Sequence, residues 1–310
     1  MFFQRAHEGR NAWWRWIVTI VGTVVFWFIG YIPLLGFAAK EATRLGITLD
    51  DFLSQPLPPE ADRNLFLLFS LIPFAVAFCA LWFFIALMHH KRLLSVMTGR
   101  ARFDWKRVFL AFALWVIVLA IGNFVILPPE IRYQFDPASF WPLLVIALLL
   151  IPVQTTFEEV LFRGYLMQGV SLLTRSKVAA LIVITLLFTA LHFDNPEFNT
   201  DYMKGVLTYL SLSLLFGLSA VLDDGLEVPC GIHAANNLFL VLIVSPVDGS
   251  FVTNALFAAP LAELMKYSPY GDIVAAALMF CALFYWLNWR FSTLTEPTIP
   301  QPATEATPSV

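Results

Sequence analysis

Charged residues are scarce in this chain, and their scarcity excludes an ordinary soluble domain. Only 13% of the 310 residues are charged, whereas soluble globular domains carry roughly a quarter. Apolar residues make up 59% of the sequence, and the mean hydropathy is +0.75. They fall into runs long enough to cross a hydrocarbon core of about 30 Å, which takes about 20 helical residues. The sequence therefore predicts a polytopic membrane protein.

Cysteine is also scarce, and two motifs of metal chemistry are missing. Cys79, Cys230 and Cys281 lie in or beside apolar runs and form no C-x-x-C pair. We therefore expect small buried thiols and no disulfide framework. The sequence contains no H-E-x-x-H, which is the zinc-binding helix motif of many proteases. It also shows no internal repeat, in contrast to many transporters.

Eight apolar runs predict an all-α, polytopic membrane helical bundle with about eight transmembrane helices. The runs are 16–39, 64–88, 108–127, 140–153, 178–192, 203–222, 228–244 and 273–287. The fourth continues into a segment with two glutamates, and the fifth is short for a span. An even number of spans places both termini on the same side of the membrane.

The distribution of charge between the runs predicts the orientation. Basic residues concentrate at the N-terminus, between the second and third runs and after the fourth: Arg5, Arg10, Arg15, Lys91, Arg92, Arg100, Arg102, Lys106, Arg107, Arg175 and Lys177. The alternate connections are acidic: Glu41, Asp50, Asp51, Glu60, Asp62, Glu130, Asp136, Asp194, Glu197 and Asp201. Because cytoplasmic loops carry the excess of Lys and Arg, we expect both termini in the cytoplasm. In a prokaryote this is a multi-pass protein of the cell (cytoplasmic) membrane.

Residues suited to chemistry concentrate between Gln154 and Asn237. We therefore predict N-terminal scaffold helices over 1–139 and a functional core over 140–244. A loop and the last transmembrane helix occupy 245–294. The Pro- and Thr-rich tail, 295–310, is expected to be disordered.

Glu158, Glu159 and Arg163 form the first polar group within an apolar run. An ionisable residue at the centre of a span costs at least about 2.5–3.5 kcal/mol and usually lines a cavity. Glu159 and Arg163 are i and i+4, in the favourable acid-first order, so we expect them to pair. Glu158 then faces elsewhere, in an apolar setting suited to a general base. The structural alternative is an interfacial carboxylate pair with a snorkelling arginine.

Two further groups contain histidine. Phe188 and His192 share one helical face, and so do His233 and Asn237. The second pair presents two hydrogen-bond donors that suit a developing oxyanion. The other histidines, His7, His89 and His90, lie in the N-terminal arm or the basic loop, and we expect them to be solvated or interfacial.

The ordered motifs E-E-x-x-x-R, F-x-x-x-H and H-x-x-x-N resemble the CPBP family of intramembrane proteases. That family includes type II CAAX prenyl endopeptidases and bacterial proteins linked to bacteriocin self-immunity. The resemblance covers roughly 140–244. It implies that Glu158 and His192 activate the attacking water, that His233 and Asn237 form the oxyanion site, and that Glu159 with Arg163 supports the geometry.

The expected function is an intramembrane endopeptidase that cleaves near the cytoplasmic membrane surface or within the bilayer. Its partners would be membrane lipid and a peptide or protein substrate, with or without a lipid group, and no nucleic acid. We favour metal-independent glutamate catalysis without a cofactor, since Asn is a poor zinc ligand. The metal-dependent alternative is zinc held by Glu158, His192 and His233. An ion-coupled transporter and a non-catalytic scaffold or immunity protein are the functional alternatives.

Overall fold

A computed structural model describes residues 1–54, 57–58, 60–126, 128–267 and 269–296, and these residues are mostly helical. The α-helices are α1 (Trp13–Gly30), α2 (Ile32–Leu45), α3 (Leu49–Ser54), α4 (Arg63–Phe84), α5 (Leu93–Met97), α6 (Trp105–Ile121), α7 (Pro137–Glu159), α8 (Met167–Thr174), α9 (Lys177–Ala190), α10 (Pro196–Thr200), α11 (Tyr202–Leu222), α12 (Glu227–Leu242), α13 (Leu261–Leu264), α14 (Tyr270–Trp286) and α15 (Ser292–Thr295). π-Helical turns extend α4, α6 and α7 over Ile85–His89, Gly122–Ile126 and Val160–Leu166, and a 3-10 turn spans Gln4–His7. Beyond residue 296, the predicted disordered tail lies outside the described residues.

Five helical stretches are long and apolar enough to cross a membrane. They are Trp13–Leu45, Arg63–His89, Trp105–Ile126, Pro137–Thr174 and Tyr202–Leu222. Helices α9 and α14 are apolar but shorter. Large apolar side chains such as Phe28, Phe109 and Leu149 are exposed, as expected of surfaces that face lipid. The all-α membrane bundle is confirmed, while the count of eight spans and the orientation stay predictions.

Short polar residues set the start of most long helices. The side chains of Asp62, Asp104, Asp136, Ser176 and Asp201 accept hydrogen bonds from the first free amides of α4, α6, α7, α9 and α11. A side-chain cap of this kind contributes about 1 kcal/mol. The caps place each helix start in a polar connection just outside the apolar run.

The stretch from α7 through the π turn to α8 carries the two glutamates. It has 38 residues, so at 1.5 Å per residue it is about 57 Å long, well beyond the hydrocarbon thickness. The π turn begins directly after Glu159. Helix α7 packs against α4 and α12, while α11 packs against α9 and α12. These contacts gather the predicted motif helices around one interior space.

The connections segregate into two ends of the bundle. We call residues 1–12, 90–104, 175–176, 223–226 and 287–296 the basic end. There, the Phe2 amide donates to Asp224 (2.6 Å), and Lys177 donates to the Thr293 carbonyl (2.7 Å). We call the described parts of 46–62, 128–136, 191–201 and 243–269 the acidic end. There, Asn254 donates to Asn64 (3.4 Å) and Ser250 donates to Glu197 (3.0 Å).

A small sheet at the acidic end was not predicted. Strand β1 (Arg132–Tyr133) pairs antiparallel with β3 (Phe257–Ala259), and β3 pairs parallel with β2 (Val244–Pro246). Strand β3, most of β2 and α13 lie within 245–269, where the sequence predicts a loop. The sheet lies next to the end of α12 and therefore next to the predicted site helix.

Two expectations about side chains were wrong. His89 is fully buried rather than solvated, and its ring nitrogens contact the Arg10 carbonyl (2.9 Å) and the Tyr165 hydroxyl (2.8 Å). Among the cysteines only Cys230 is buried, whereas Cys79 and Cys281 are exposed. In a bundle surrounded by lipid, an exposed thiol still lies in an apolar environment, so hydropathy does not distinguish a buried position from one that faces lipid.

Candidate active site

Glu158 is held by a chain of amide side chains. Gln154 lies one turn earlier on α7, and its Nε2 donates to Glu158 Oε1. The Gln154 Oε1 atom accepts in turn from Asn237 Nδ2 on α12 at 3.0 Å. All three side chains are buried. Because both ends of the Gln154 amide are bonded, the carboxylate of Glu158 is fixed in direction.

Glu159 and Arg163 form an ion pair behind Glu158. Arg163 Nη1 lies 3.1 Å from Glu159 Oε1, and both side chains are fully buried. Arg163 Nη2 also donates to Ser213 Oγ on α11 at 2.8 Å. The guanidinium lies over the rings of Phe188 and Phe216, at 4.1 and 5.2 Å from their centroids. The predicted pairing of Glu159 with Arg163 is confirmed.

His233 lies between the two glutamates. Its Nδ1 is 2.7 Å from Glu159 Oε1, and its Nε2 is 3.7 Å from Glu158 Oε2. The ring of Phe216 stacks on the imidazole with 4.9 Å between centroids. Glu159 therefore orients the imidazole, and Nε2 is directed to the same side as Glu158.

His192 lies just beyond the end of α9, in the connection to α10. Its Nδ1 is 2.6 Å from the Phe188 carbonyl oxygen, which can only accept a hydrogen bond, so Nδ1 carries the proton. In a neutral ring Nε2 is then an acceptor. The imidazole lies between Phe188 and Tyr209, at 4.3 and 4.8 Å between centroids. This environment leaves one basic nitrogen of His192 available.

A cavity of about 550 Å³ joins these groups. Glu158, His192, His233 and Asn237 all line it, whereas Glu159 and Arg163 lie behind its wall. The first three predicted spans contribute apolar wall residues such as Phe74. The cavity also extends along the connections of the acidic end.

The predicted donor pair is arranged differently from the expectation. In this state the Asn237 amide donates to Gln154, and His233 contacts two carboxylates. The two groups therefore do not converge on an empty point, although both line the cavity. Their roles as oxyanion donors stay predictions.

Sequence reasoning missed four residues of the site: Gln154, Tyr209, Ser213 and Phe216. Gln154 could have been predicted, because its i to i+4 spacing from Glu158 places the two side chains on one helical face. The others lie on α11, whose sequence shows no polar motif, and only the packing of α11 against α9 and α12 brings them to the site.

A zinc ion needs three or four protein ligands directed at one point. No group of three or more His, Cys, Asp or Glu side chains in the described part of the chain is arranged to hold one. Glu158, His192 and His233 line the same cavity, and His233 Nδ1 is hydrogen-bonded to Glu159. His233 Nε2 lies 3.7 Å from Glu158 Oε2, which is too far for a hydrogen bond. The zinc alternative would use this nitrogen together with Glu158 and His192.

The fold and site define a multi-pass membrane protein with a buried Glu-His-Asn cavity. The family model described as type II CAAX prenyl endopeptidase Rce1-like matches residues 137–239. A Bacillus subtilis (strain 168) protein named uncharacterized protein YyaK is 30% identical over 251 residues, covering 78% of this chain and 82% of that protein. No solved structure matches the chain.

The chain belongs to the Rce1-like type II CAAX prenyl endopeptidase family. The matched region contains every predicted site residue, from Glu158 to Asn237. Membership supports a CAAX-protease-type intramembrane endopeptidase with a peptide or protein substrate. It does not favour the transporter or the scaffold alternative.

Proposed function

We propose that this protein is an intramembrane endopeptidase in which Glu158 and His192 activate a water molecule. The observation that carries the proposal is the cavity, which joins Glu158, His192, His233 and Asn237 from three different helical segments. The family supports peptidase activity, and the geometry supports the assignment of roles within it.

In the proposed reaction, water lies between Glu158 and the Nε2 acceptor of His192. Glu158 accepts a proton as the water oxygen attacks the carbonyl carbon of the scissile amide. His233 acts as an imidazolium, whose Nδ1–H is bonded to Glu159, and its Nε2–H and the Asn237 amide donate to the developing oxyanion. The accepted proton then moves to the amide nitrogen as the C–N bond breaks. Glu159 and Arg163 hold His233 in place throughout.

We further propose that the reaction does not depend on a metal ion. The support is Asn237, which lines the cavity with His233 and suits an oxyanion donor but is a poor zinc ligand. If zinc were bound in a rearranged site, Glu158, His192 and His233 would hold it and it would lower the pKa of the bound water. Chelation distinguishes the two cases.

The test is cleavage by the purified protein in nanodiscs. A fluorogenic prenylated C-a-a-X peptide is compared with its unprenylated twin, each with and without a chelator. Since general acid-base catalysis contributes about 10²–10⁴-fold, Glu158→Gln should lower kcat by at least about 100-fold. Glu130→Gln, at an exposed position of the acidic end, is the matched control and should leave kcat unchanged. Activity retained in Glu158→Gln would refute the assignment, and activity lost on chelation would refute metal independence.

A further inference from the structure

Trp115 donates a hydrogen bond to the helix that carries His233 and Asn237. It lies on α6, within the stretch predicted as scaffold and before the residues that the family model matches. Its side chain is buried, and its indole Nε1 donates to Asn236 Oδ1 on α12 at 3.3 Å. Asn236 lines the cavity, whereas Trp115 is absent from the described lining. Trp115 therefore reaches the site through Asn236.

This bond begins a continuous chain that ends at Glu158. Asn236 Nδ2 donates to Asn237 Oδ1 at 3.2 Å, and Asn237 Nδ2 donates to Gln154 Oε1 at 3.0 Å. The Nε2 atom of Gln154 then donates to Glu158 Oε1. Every bond runs in the same direction, from the indole to the carboxylate. Three side-chain amides thus connect α6 with the proposed general base.

The two ends of the chain fix its direction. An indole N–H can only donate a hydrogen bond, and an ionised carboxylate can only accept one. An amide has a donor end and an acceptor end of similar shape, so each amide alone would fit in either direction. If the three amides turned together, oxygen would face oxygen at Glu158 and N–H would face N–H at Trp115. Both ends therefore hold the amides in the same direction.

One end loses this property during the proposed reaction. When Glu158 accepts the proton of the attacking water, its carboxyl group can donate as well as accept. It then no longer opposes a reversed chain. At the same stage the oxyanion needs the remaining N–H of Asn237, and a reversed amide would present its oxygen instead. The Trp115 end is thus the one that still sets the direction when the oxyanion forms.

We propose that Trp115 and Asn236 are positioning residues that keep the donor end of the Asn237 amide directed at the oxyanion throughout turnover. The inference rests on the proposed function, which assigns the oxyanion to Asn237. The oxyanion exists only after the water has attacked, so the chain acts on kcat and hardly on KM.

The first test compares two tryptophans in the nanodisc cleavage assay. Trp115→Phe removes the N–H and keeps an aromatic ring, and the loss of one neutral hydrogen bond should lower kcat about 3–10-fold with KM nearly unchanged. Trp27→Phe is the matched control, because Trp27 Nε1 has no hydrogen-bond partner among the described residues, and its kcat should change less than about twofold.

A second background separates positioning from packing. Asn237→Ala has no amide to turn, so Trp115→Phe should lower kcat by less than about twofold when it is added to this variant. A purely structural role of Trp115 would lower kcat equally in both backgrounds. Equal losses, or an unchanged kcat in Trp115→Phe alone, would overturn the proposal.

The direction of the chain is tested with Asn236→Asp. This variant keeps the shape of the side chain, but its carboxylate accepts from both Trp115 and Asn237, which turns the Asn237 oxygen toward Gln154 and the cavity. Its kcat should fall at least about 100-fold, the size of a lost oxyanion donor. Asn236→Leu only interrupts the chain and should lose less. Equal kcat values in the two variants would overturn the proposal.

The chain is also tested without activity, by NMR of the protein in nanodiscs with isotope-labelled indole nitrogens. The Trp115 signal is the one that is missing in Trp115→Phe. Because its proton is hydrogen-bonded to Asn236, the signal should move upfield in Asn236→Leu, and an unmoved signal would overturn the proposal. If the unmodified protein cleaves no peptide, the proposed function fails and the role in turnover fails with it, while a moved signal still supports the chain.

Discussion

Replacement of Arg163 by methionine tests whether the buried ion pair holds the site together. Arg163 and Glu159 are both fully buried, and the guanidinium also bonds Ser213. Without it, His233 is the one hydrogen-bond partner left to Glu159 among the described residues, and lipid and packed protein cannot solvate the charge. Removing one member of a buried pair costs about 3–5 kcal/mol, because the other charge is left uncompensated. We expect Arg163→Met to lower the free energy of unfolding by about that amount.

Two further variants separate the charge from other effects. In Glu159→Gln/Arg163→Met both charges are absent, so most of the lost stability should return, and the two substitutions should be clearly non-additive in the double-mutant cycle. Lys266 provides the matched control, because its pair with Glu263 is at the surface, with side chains that are 49% and 30% exposed. Lys266→Met should change stability by less than about 1 kcal/mol.

The assay is equilibrium unfolding in mixed micelles with increasing SDS, followed by the fluorescence of the ten tryptophans. Peptidase activity is measured in parallel and should stay low in the double variant, since His233 has lost the Glu159 carboxylate that orients it. Equal destabilisation in the single and double variants would refute the reasoning. So would a loss below about 1 kcal/mol in Arg163→Met.

Three shorter predictions concern positioning, packing and pH. Gln154→Ala should lower kcat about 10–100-fold with a smaller change in KM, since a hydrogen bond to the charged Glu158 contributes about 1.5–3 kcal/mol; an unchanged kcat would contradict this. Gly231→Ala should destabilise the protein by about 1–3 kcal/mol in the same unfolding assay, because a Cβ at this position would lie under 3.0 Å from the α6 backbone. Gly36→Ala serves as the control, since a Cβ there would have no neighbouring atom of the described residues within 4 Å. Burial raises the pKa of Asp223 from 3.8 to about 6. Because ionisation of such a group is less favourable in the folded state, the free energy of unfolding should fall as the pH rises from about 4 to about 6. In Asp223→Asn this fall with pH should be smaller, and an unchanged slope would count against the prediction.

Local spacing and hydropathy carried much of the information needed for this site. The apolar runs gave helices because a backbone in lipid must satisfy its hydrogen bonds internally. The i to i+4 relation of Glu159 and Arg163 predicted a contact within one helix, and the structure contains it. Interactions of this kind depend only on helical geometry.

Contacts between segments that are distant in sequence could not be predicted from local spacing and hydropathy. Ser213 and Phe216 reach the site through helix packing, and His89 is buried because Tyr165 and the N-terminal segment cover it. The short strands near residues 244–259 follow no clear alternation, so their pairing with β1 depends on the fold that surrounds them. Site roles and domain boundaries stay predictions.

The π-helical turn over Val160–Leu166 determines the angle, about the helix axis, between the two halves of its helix. A π turn closes with one residue more than an α turn. Closure of the same residues as ordinary α-helix would rotate the preceding half by about 100°, the angle of one residue, with little shift along the axis. Glu158 would then leave the cavity and Glu159 would leave His233, while the length of the helix hardly changed. A related chain that lacks one residue of the turn would instead absorb the loss by closing as α-helix, and its carboxylates would keep nearly the same face.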